Sequence, residues 1–382
     1  IATSLEMKIE GEDANGLDLV VPAYRVDVQR PCDVVEDILR IYGYNNVEIP
    51  TQLKSSLTVP DEHDKEHRLI NIVSEQLVGC GFNEILNNSM SKSSYYDHDE
   101  LNAYRWANTV KVMNPLSADL GVMRQTLVFG GLESLARNIN RKRSNLKFFE
   151  VGNAYHYDPE KDDHDNSIVA YTQESHLALW ITGKRVEGSW AHPDEDTSFY
   201  ELKAYVENIL RRVGVAGGMV VSSQSENNLF SEALVLKNRG GKVLCEYGKL
   251  TKKVCHTCGV EKDVYYADIN WTAVMNAIKK NKVEFKELSK YPAVSRDLAL
   301  LIDSNVEFAQ IEQIARQSEK KLLKEVDLFD VYQGKNLPAG KKSYAVNFIL
   351  EDEERTLNDK QIDAIMQKII KNLTNKLGAE LR

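Results

Sequence analysis

Apolar and polar positions alternate with changing period along the chain, and the period names the elements. At the start, 18–22 reads as a strand extended through Asp27, and 33–42 as a helix with Pro31 just ahead of it and Gly43 to stop it. Over 61–79, Leu69, Ile72, Val73, Gln76 and Leu77 fall on one side of a long amphipathic helix. The runs 148–157, 176–182, 233–236 and 264–269 predict strands, with a helix over 200–213 between them. The last hundred residues are clearer: strand 297–302, helix 308–323, strands 326–332 and 344–350 with Gly334 and Gly340 in the turn, helix 359–377 capped at Asp359 and ended by Gly378, and a short strand at 379–381. The order β-α-β-β-α-β in under 100 residues is the ferredoxin-like split motif.

Composition narrows the classes. The chain has 382 residues, 42% hydrophobic and 27% charged, which predicts about two or three ordinary globular domains. No stretch approaches the ~18 apolar residues of a membrane span. No signal-like segment is visible, and an opening Ile1 in place of Met suggests a trimmed fragment. Five cysteines, sparse and odd in number, fit a reducing cytoplasm better than a disulfide framework. The net charge of −9 excludes a wholly basic nucleic-acid coat but not a local basic face. Residues 285–382 carry sixteen residues of each sign, so the whole −9 lies in the remainder. That shift puts a boundary near 284–291, ahead of Pro292, and a second break is expected at 50–60, between Pro50 and Pro60. The expected division is 1–50, 51–284 and 285–382.

Five groups of residues can carry chemistry. Asp33, Glu36 and Asp37 share one helix face, with Asp27 a few residues ahead; hard oxygens so placed favour Mg²⁺ or Ca²⁺, or simply complement the helix dipole beside Arg25, Arg30 and Arg40. His63-Asp64-Lys65-Glu66-His67 matches the H-x-x-E-H pattern of a zinc hydrolase, in a charged and solvated-looking first turn. Cys255-His256-Thr257-Cys258 is a lone C-x-x-C without the second pair that zinc requires. From Arg137 to Lys147 stand five cations and no acid (Arg137, Arg141, Lys142, Arg143, Lys147), a phosphate-facing patch or a solvated helix end. In the tail, Arg296, Lys341, Lys342 and Arg355 with Tyr332 and Phe329 supply the cations and rings that single-stranded RNA binding requires. No phosphate loop, dinucleotide fingerprint or G-x-S-x-G elbow is present.

Together these segments resemble the C-terminal part of the bacterial phenylalanyl-tRNA synthetase beta subunit. The likeness runs through Val21-Pro22-Ala23-Tyr24-Arg25-Val26-Asp27, Asp33-Val34-Val35-Glu36-Asp37 and Arg40-Ile41-Tyr42-Gly43-Tyr44. It continues at Gly81-Phe82-Asn83-Glu84, Asn114-Pro115-Leu116-Ser117, Met123-Arg124 and Phe149-Glu150-Val151-Gly152, then at Arg296-Asp297-Leu298, Phe329-Asp330-Val331-Tyr332, Lys342-Ser343 and Arg355-Thr356-Leu357. The resemblance implies an α+β architecture: the end of a metal-carrying domain, a class II synthetase-like antiparallel-sheet domain without catalysis, and a ferredoxin-like anticodon-binding domain. It implies an alpha-2, beta-2 enzyme joining phenylalanine to its tRNA through an adenylate made from ATP, with ATP bound by the holoenzyme. It also implies Mg²⁺ shared with the alpha subunit at Asp27, Asp33, Glu36 and Asp37, the last standing where the family more often has Glu. A Phe-Arg-x-Glu phosphate clamp and a Gly-rich run ending in Glu-Arg are both missing, so the chain alone is expected to be inert. The helix over 61–79 and the segment 127–135, with Leu127, Val128, Phe129 and Leu132, are expected to pack against the alpha subunit. The competing expectations are a stand-alone RNA-binding or regulatory module on a degenerate enzyme fold, and the zinc hydrolase around His63 and His67.

Overall fold

Strands β1 (Lys8–Asp13) and β2 (Gly16–Val20) form an antiparallel hairpin. Its Leu19 and Val34 of helix α1 (Pro31–Tyr42) pack on a small core of Ala2, Met7 and Val28. Pro31 opens α1, where its fixed φ suits a first turn and its missing N–H is not needed; Gly43, at φ 93°, ends it. The computed structural model describes all residues except 53–60, 97–100, 163–166, 216–219, 280, 282–284, 286 and 335–336. The expected break at 50–60 falls largely outside the described residues, as does part of the boundary at 284–291. By compactness the chain forms two units, Ile1–Lys279 and Lys280–Arg382.

The rest of the first unit begins with α2 (Glu62–Gly79), started by Asp61, whose carboxylate accepts from the Asp64 N–H while Asp64 reaches back in a reciprocal cap. Then come β3 (Asn83–Glu84), β4 (Met90–Ser91), β5 (Val122–Met123), α3 (Val128–Asn140), β6 (Leu146–Tyr157), β7 (Tyr171–Thr182), β8 (Lys184–Val186) and β9 (Glu195–Asp196). They are followed by α4 (Phe199–Val213), β10 (Val220–Gln224), β11 (Phe230–Asn238), β12 (Val243–Leu250), α5 (Lys252–Thr257), β13 (Val264–Asn270) and α6 (Trp271–Ile278). The main sheet has seven strands in the order β10-β11-β12-β13-β7-β6-β3, antiparallel except where β3 runs parallel to β6. Period-two alternation sends Leu177, Leu179 and Ile181 to one face, against α2, α4 and α6, and Ala178 and Trp180 to the other, against α3. Gly131 allows that second contact: a Cβ there would lie 2.1 Å from the Trp180 ring.

This packing corrects one expectation for the segment 127–135, and limits it in the 61–79 helix to the side that carries exposed residues such as Val78. Leu127, Val128, Phe129 and Leu132 are fully enclosed in the chain's own second core, and Val73 and Leu77 of α2 in the first, so these side chains are not held in reserve for a partner. Each large apolar group so buried contributes about 1.5–3 kcal/mol to this unit.

The second unit runs β14 (Val294–Asp303), α7 (Phe308–Ser318), β15 (Leu323–Tyr332), β16 (Lys341–Leu350), α8 (Asp359–Leu377) and β17 (Glu380–Leu381), the β-α-β-β-α-β order the sequence predicts. Helix α7 stops five residues short of the expected 323, where Leu323 joins the sheet instead. The antiparallel order is β15-β16-β14-β17, with α7 and α8 packed on one face through Ile311, Ile314, Ile362, Ile369 and Leu373. Among the described residues, no helix of the chain is long and apolar enough to cross a membrane.

Candidate functional site

The four early carboxylates are each engaged by an arginine. Arg25 donates to Asp37 at 2.6 Å and to Asp27 at 3.4 Å, Arg30 to Asp33 at 3.1 Å, and Arg40 to Glu36 at 2.7 Å. Asp33 also accepts the backbone N–H groups of Gln29 and Arg30, capping α1. The Arg30 side chain, with these two N–H donors, holds the Asp33 carboxyl down at about 2, and Arg25 holds Asp27 below the usual range. Hard carboxylate oxygens suit magnesium chemically. Their arrangement does not: among the described residues no three His, Cys, Asp or Glu side chains converge to hold a metal. Paired with arginines in this way, the four carboxylates of this chain do not by themselves make a closed cation site.

The best-formed constellation lies between the main sheet and α3. Glu150 of β6, with no exposed surface, accepts from Arg124 at 2.6 Å and from both the backbone and the side-chain amide of Asn87. Arg124 also donates to the Asn153 carbonyl, and Ser134 of α3 donates to Asn87. Gly152 makes room for the guanidinium, since a Cβ there would sit 2.2 Å from an Arg124 nitrogen. Arg124 is therefore committed to an internal carboxylate. A cavity of about 530 Å³ opens beside it, lined by Lys92, Tyr95, Arg124, Glu133 and Cys258 among others. In it Lys92 and the Tyr95 hydroxyl both meet Glu133, at 3.0 and 2.5 Å, and burial pushes the Cys258 thiol up to about 11. Further along the same face, His176 Nδ1 lies 2.5 Å from Asp268, with His156 and Glu174 nearby.

Two short motifs take undemanding places. His63 and His67 are exposed in the opening turns of α2, with Asp64 spent on the cap. Cys255 and Cys258 are free thiols at the end of α5, and burial raises Cys255 to about 12. A protonated, half-enclosed thiol is a poor nucleophile and a poor ligand.

The tail residues separate onto different surfaces. Strand register places Tyr332 opposite Ser343, on the sheet face that carries no helix, with Lys341 two residues away on that face. Arg382, which the sequence pattern did not single out, stacks its guanidinium over the Tyr332 ring at 5.7 Å, and Lys341 pairs with Glu380 at 2.7 Å. Arg296 and Lys342 face the helices instead. Arg296 lies 3.9 Å from Asp359, while Lys342 is 7% exposed with its ammonium over the Tyr344 ring, so burial takes Lys342 out of reach of a bound strand. Arg355 is exposed and pairs with Asp352 at 3.3 Å. The open face also carries Asp297, Glu325, Asp327 and Asp330, which work against a polyanion over most of its width.

Three family descriptions match in chain order: the tRNA synthetase B5 domain at residues 1–44, the phenylalanyl tRNA synthetase beta chain CLM domain at 49–271, and the ferredoxin-fold anticodon binding domain at 289–382. The chain is 60% identical over all 382 residues to the phenylalanine–tRNA ligase beta subunit of Bacteroides fragilis, and 59% and 48% identical to those of Bacteroides thetaiotaomicron and Porphyromonas gingivalis. In each case it covers 100% of this chain and 46% of the relative, so the chain spans about half the length of the proteins it matches. Among solved structures, the pyrrolysyl tRNA synthetase of Desulfitobacterium hafniense superposes with a TM-score of 0.41 at 13% identity, over 56% of this chain and 68% of that one. With beta-chain matches from end to end, the chain belongs to the phenylalanyl-tRNA synthetase beta-chain family.

Proposed function

We propose that this chain serves as the structural and tRNA-binding part of a phenylalanine–tRNA ligase beta subunit, supporting ATP-dependent attachment of phenylalanine to its tRNA without catalysing it. The observation that carries the reading is the collinear, end-to-end match to named beta subunits. The non-catalytic part rests on Arg124. Adenylate formation needs cations free to clamp a triphosphate, and here the arginine on the sheet face is buried against Glu150. The seven-stranded antiparallel sheet between helices supports a class II synthetase-like, degenerate core for 51–284, with 1–50 and 285–382 as separate flanking modules. ATP then belongs to a catalytic alpha chain in an alpha-2, beta-2 assembly in the cytoplasm. Exposed apolar side chains such as Tyr24, Val26, Tyr44, Leu86, Met113 and Leu116, from 58% to 94% exposed, are the surface such a partner would cover.

Asp27, Asp33, Glu36 and Asp37 would take up magnesium only in the assembled enzyme, where partner oxygens complete the set; no catalytic step is assigned to the ion. Asp33→Ala with Glu36→Ala should then weaken assembly at low magnesium, and indifference to both would leave the carboxylates as cap and ion-pair partners. For RNA, Tyr332, Lys341 and Arg382 form the proposed contact in the tail, with Arg355 as an outlying phosphate ligand and Arg296 and Lys342 shaping the domain behind them. The deciding experiment is phenylalanine-dependent ATP–pyrophosphate exchange by the beta chain alone and after co-expression with an alpha chain. Exchange is expected only in the pair. Exchange by the beta chain alone would refute the reading.

A further inference from the structure

At the end of α3 the chain reverses through Arg141, Lys142 and Arg143 before entering β6. Both the Arg141 and Arg143 N–H groups return to the Asn138 carbonyl, and that of Lys142 to Ile139. This closure puts Lys142 at φ 64°, in the left-handed region that glycine enters freely and a lysine does not. Arg137, Arg141, Lys142 and Arg143 are all exposed, and among the described residues none of the four forms an ion pair. About half of the other described cations of this unit, including Lys147 close by, are matched to a carboxylate, and no other four without such a match stand so close together along the chain.

The helix dipole explains only part of this. It favours cations within the last turn, which covers Arg137 and Arg141, and it fades beyond that, where Lys142 and Arg143 stand. Four unpaired cations on a unit that carries the chain's whole excess of acid are a local exception to the surrounding field. The neighbouring side chains are Asn138, Asn140, Ser144 and Asn145, with the Glu133 carboxylate one turn before Arg137 and Glu187 held by Asn145; no exposed apolar anchor of the kind a protein interface centres on is among them. No aromatic ring stands in 136–147 to stack an unpaired base. Guanidinium forks, an ammonium and amides without rings or apolar groups suit one ligand chemistry, the phosphate oxygens of a base-paired strand.

We propose that this knuckle of Arg137, Arg141, Lys142 and Arg143 binds the phosphate backbone of a helical RNA stem, as a second RNA contact separate from the tail. It deepens the tRNA-binding function proposed above and rests on it. The test uses the assembled alpha–beta enzyme and measures affinity for its tRNA between 50 and 200 mM salt, with Arg141→Gln/Lys142→Gln/Arg143→Gln beside wild type. Three lost phosphate contacts should flatten the log–log salt slope by about 2.7, so the affinity ratio of wild type to variant should shrink roughly 40-fold across that range. Lys142→Gly alone should flatten it by about 0.9 while the melting temperature holds or rises, because glycine relieves the left-handed position; a merely structural lysine would move only the melting temperature. Unchanged slopes overturn the proposal, as does loss of the alpha chain with an unchanged slope, which would make the knuckle a protein contact. Failure of the wild-type enzyme itself to bind tRNA would instead strike the tRNA-binding function on which the proposal rests.

Discussion

The two sheets of this chain are built from similar alternating strands and finished differently. The seven-stranded sheet is packed on both faces, with Leu179 against one set of helices and Trp180 against the other, neither with any exposed surface. The four-stranded sheet has α7 and α8 on one face only. The consequence is electrostatic. A charge beneath a covering layer loses its water and must find a partner, so Arg124 sits on Glu150 and His176 on Asp268. On the open sheet Asp327 and Asp330 keep their water and are under no such constraint. The covered sheet is thereby a scaffold whose would-be binding groups are spent on one another. The open sheet is a display surface, and its acids leave the Tyr332–Lys341–Arg382 end as the place a polyanion can approach.

The sharpest way to break this contrast is to unpair the covered sheet. Arg124→Ala leaves Glu150 buried with its main counter-charge gone and should cost about 3–5 kcal/mol, read as a fall in the unfolding free energy of the first unit. Asp297→Ala on the open sheet, where among the described residues the carboxylate accepts only from Asn347 and remains exposed, should stay within about 0.5 kcal/mol. Similar costs at the two sites would mean that burial is not what separates the sheets.

A smaller effect tests the display surface. Tyr332→Ala should leave folding nearly unchanged, since the ring is partly exposed and outside the domain's core, yet weaken tRNA binding by the assembled enzyme by about 1–3 kcal/mol through lost stacking. Affinity equal to wild type would move the RNA contact elsewhere on the domain.

How much of this was legible in the sequence follows from how far each feature depends on distant residues. Helix α8 was readable to its ends because its signals are local, with Gly378 in a left-handed cap at one of them; at the other the capping side chain is Asn358, one residue before the expected Asp359, which is the first residue of the helix. Strand β1 was not, because Lys8–Asp13 is almost wholly polar and pairs only across a hairpin. Strand β12 was hidden by Gly248, which reads as a breaker but is required where a Cβ would meet the Glu232 carbonyl at 2.1 Å. Glycines 130 and 131 likewise hid the helix α3, although Gly131 is what lets it rest on Trp180. The site divides the same way. Arg124 and Glu150 each lie in a recognisable motif, but nothing local says that the two close on each other. The carboxylates of α1 were legible as a group; the arginines that occupy them were visible as residues and not as partners.

The smallest effect concerns pH, and it asks whether the covered sheet pairs a titratable group as firmly as it pairs Arg124. Burial alone would lower the His176 pKa, but the Asp268 carboxylate 2.5 Å away, with Glu174 beyond it, outweighs burial and raises it above the ordinary value of about 6.5. Neighbouring His156 goes the other way: burial, and then the charge on His176, lower it. The signs follow from proton linkage. His176 contributes stability that is complete below its unfolded pKa and is lost as pH rises through the raised folded value. His156 contributes stability that is present above its unfolded pKa and is lost as pH falls toward the lowered one. The two dependences partly cancel in a global unfolding curve, so the measurement must resolve single rings. Imidazole proton shifts followed by NMR should give His176 a midpoint above 6.5 and His156 one below it. Asp268→Asn removes the carboxylate and leaves burial opposed only by the weaker pull of Glu174, so the His176 midpoint should then drop below 6.5. The His156 midpoint should rise, because losing the charge on His176 outweighs losing the smaller upward pull of Asp268. A wild-type His176 midpoint below 6.5 would mean that desolvation beats the ion pair even here, and that the covered sheet tolerates a neutral histidine where a charged pair was inferred.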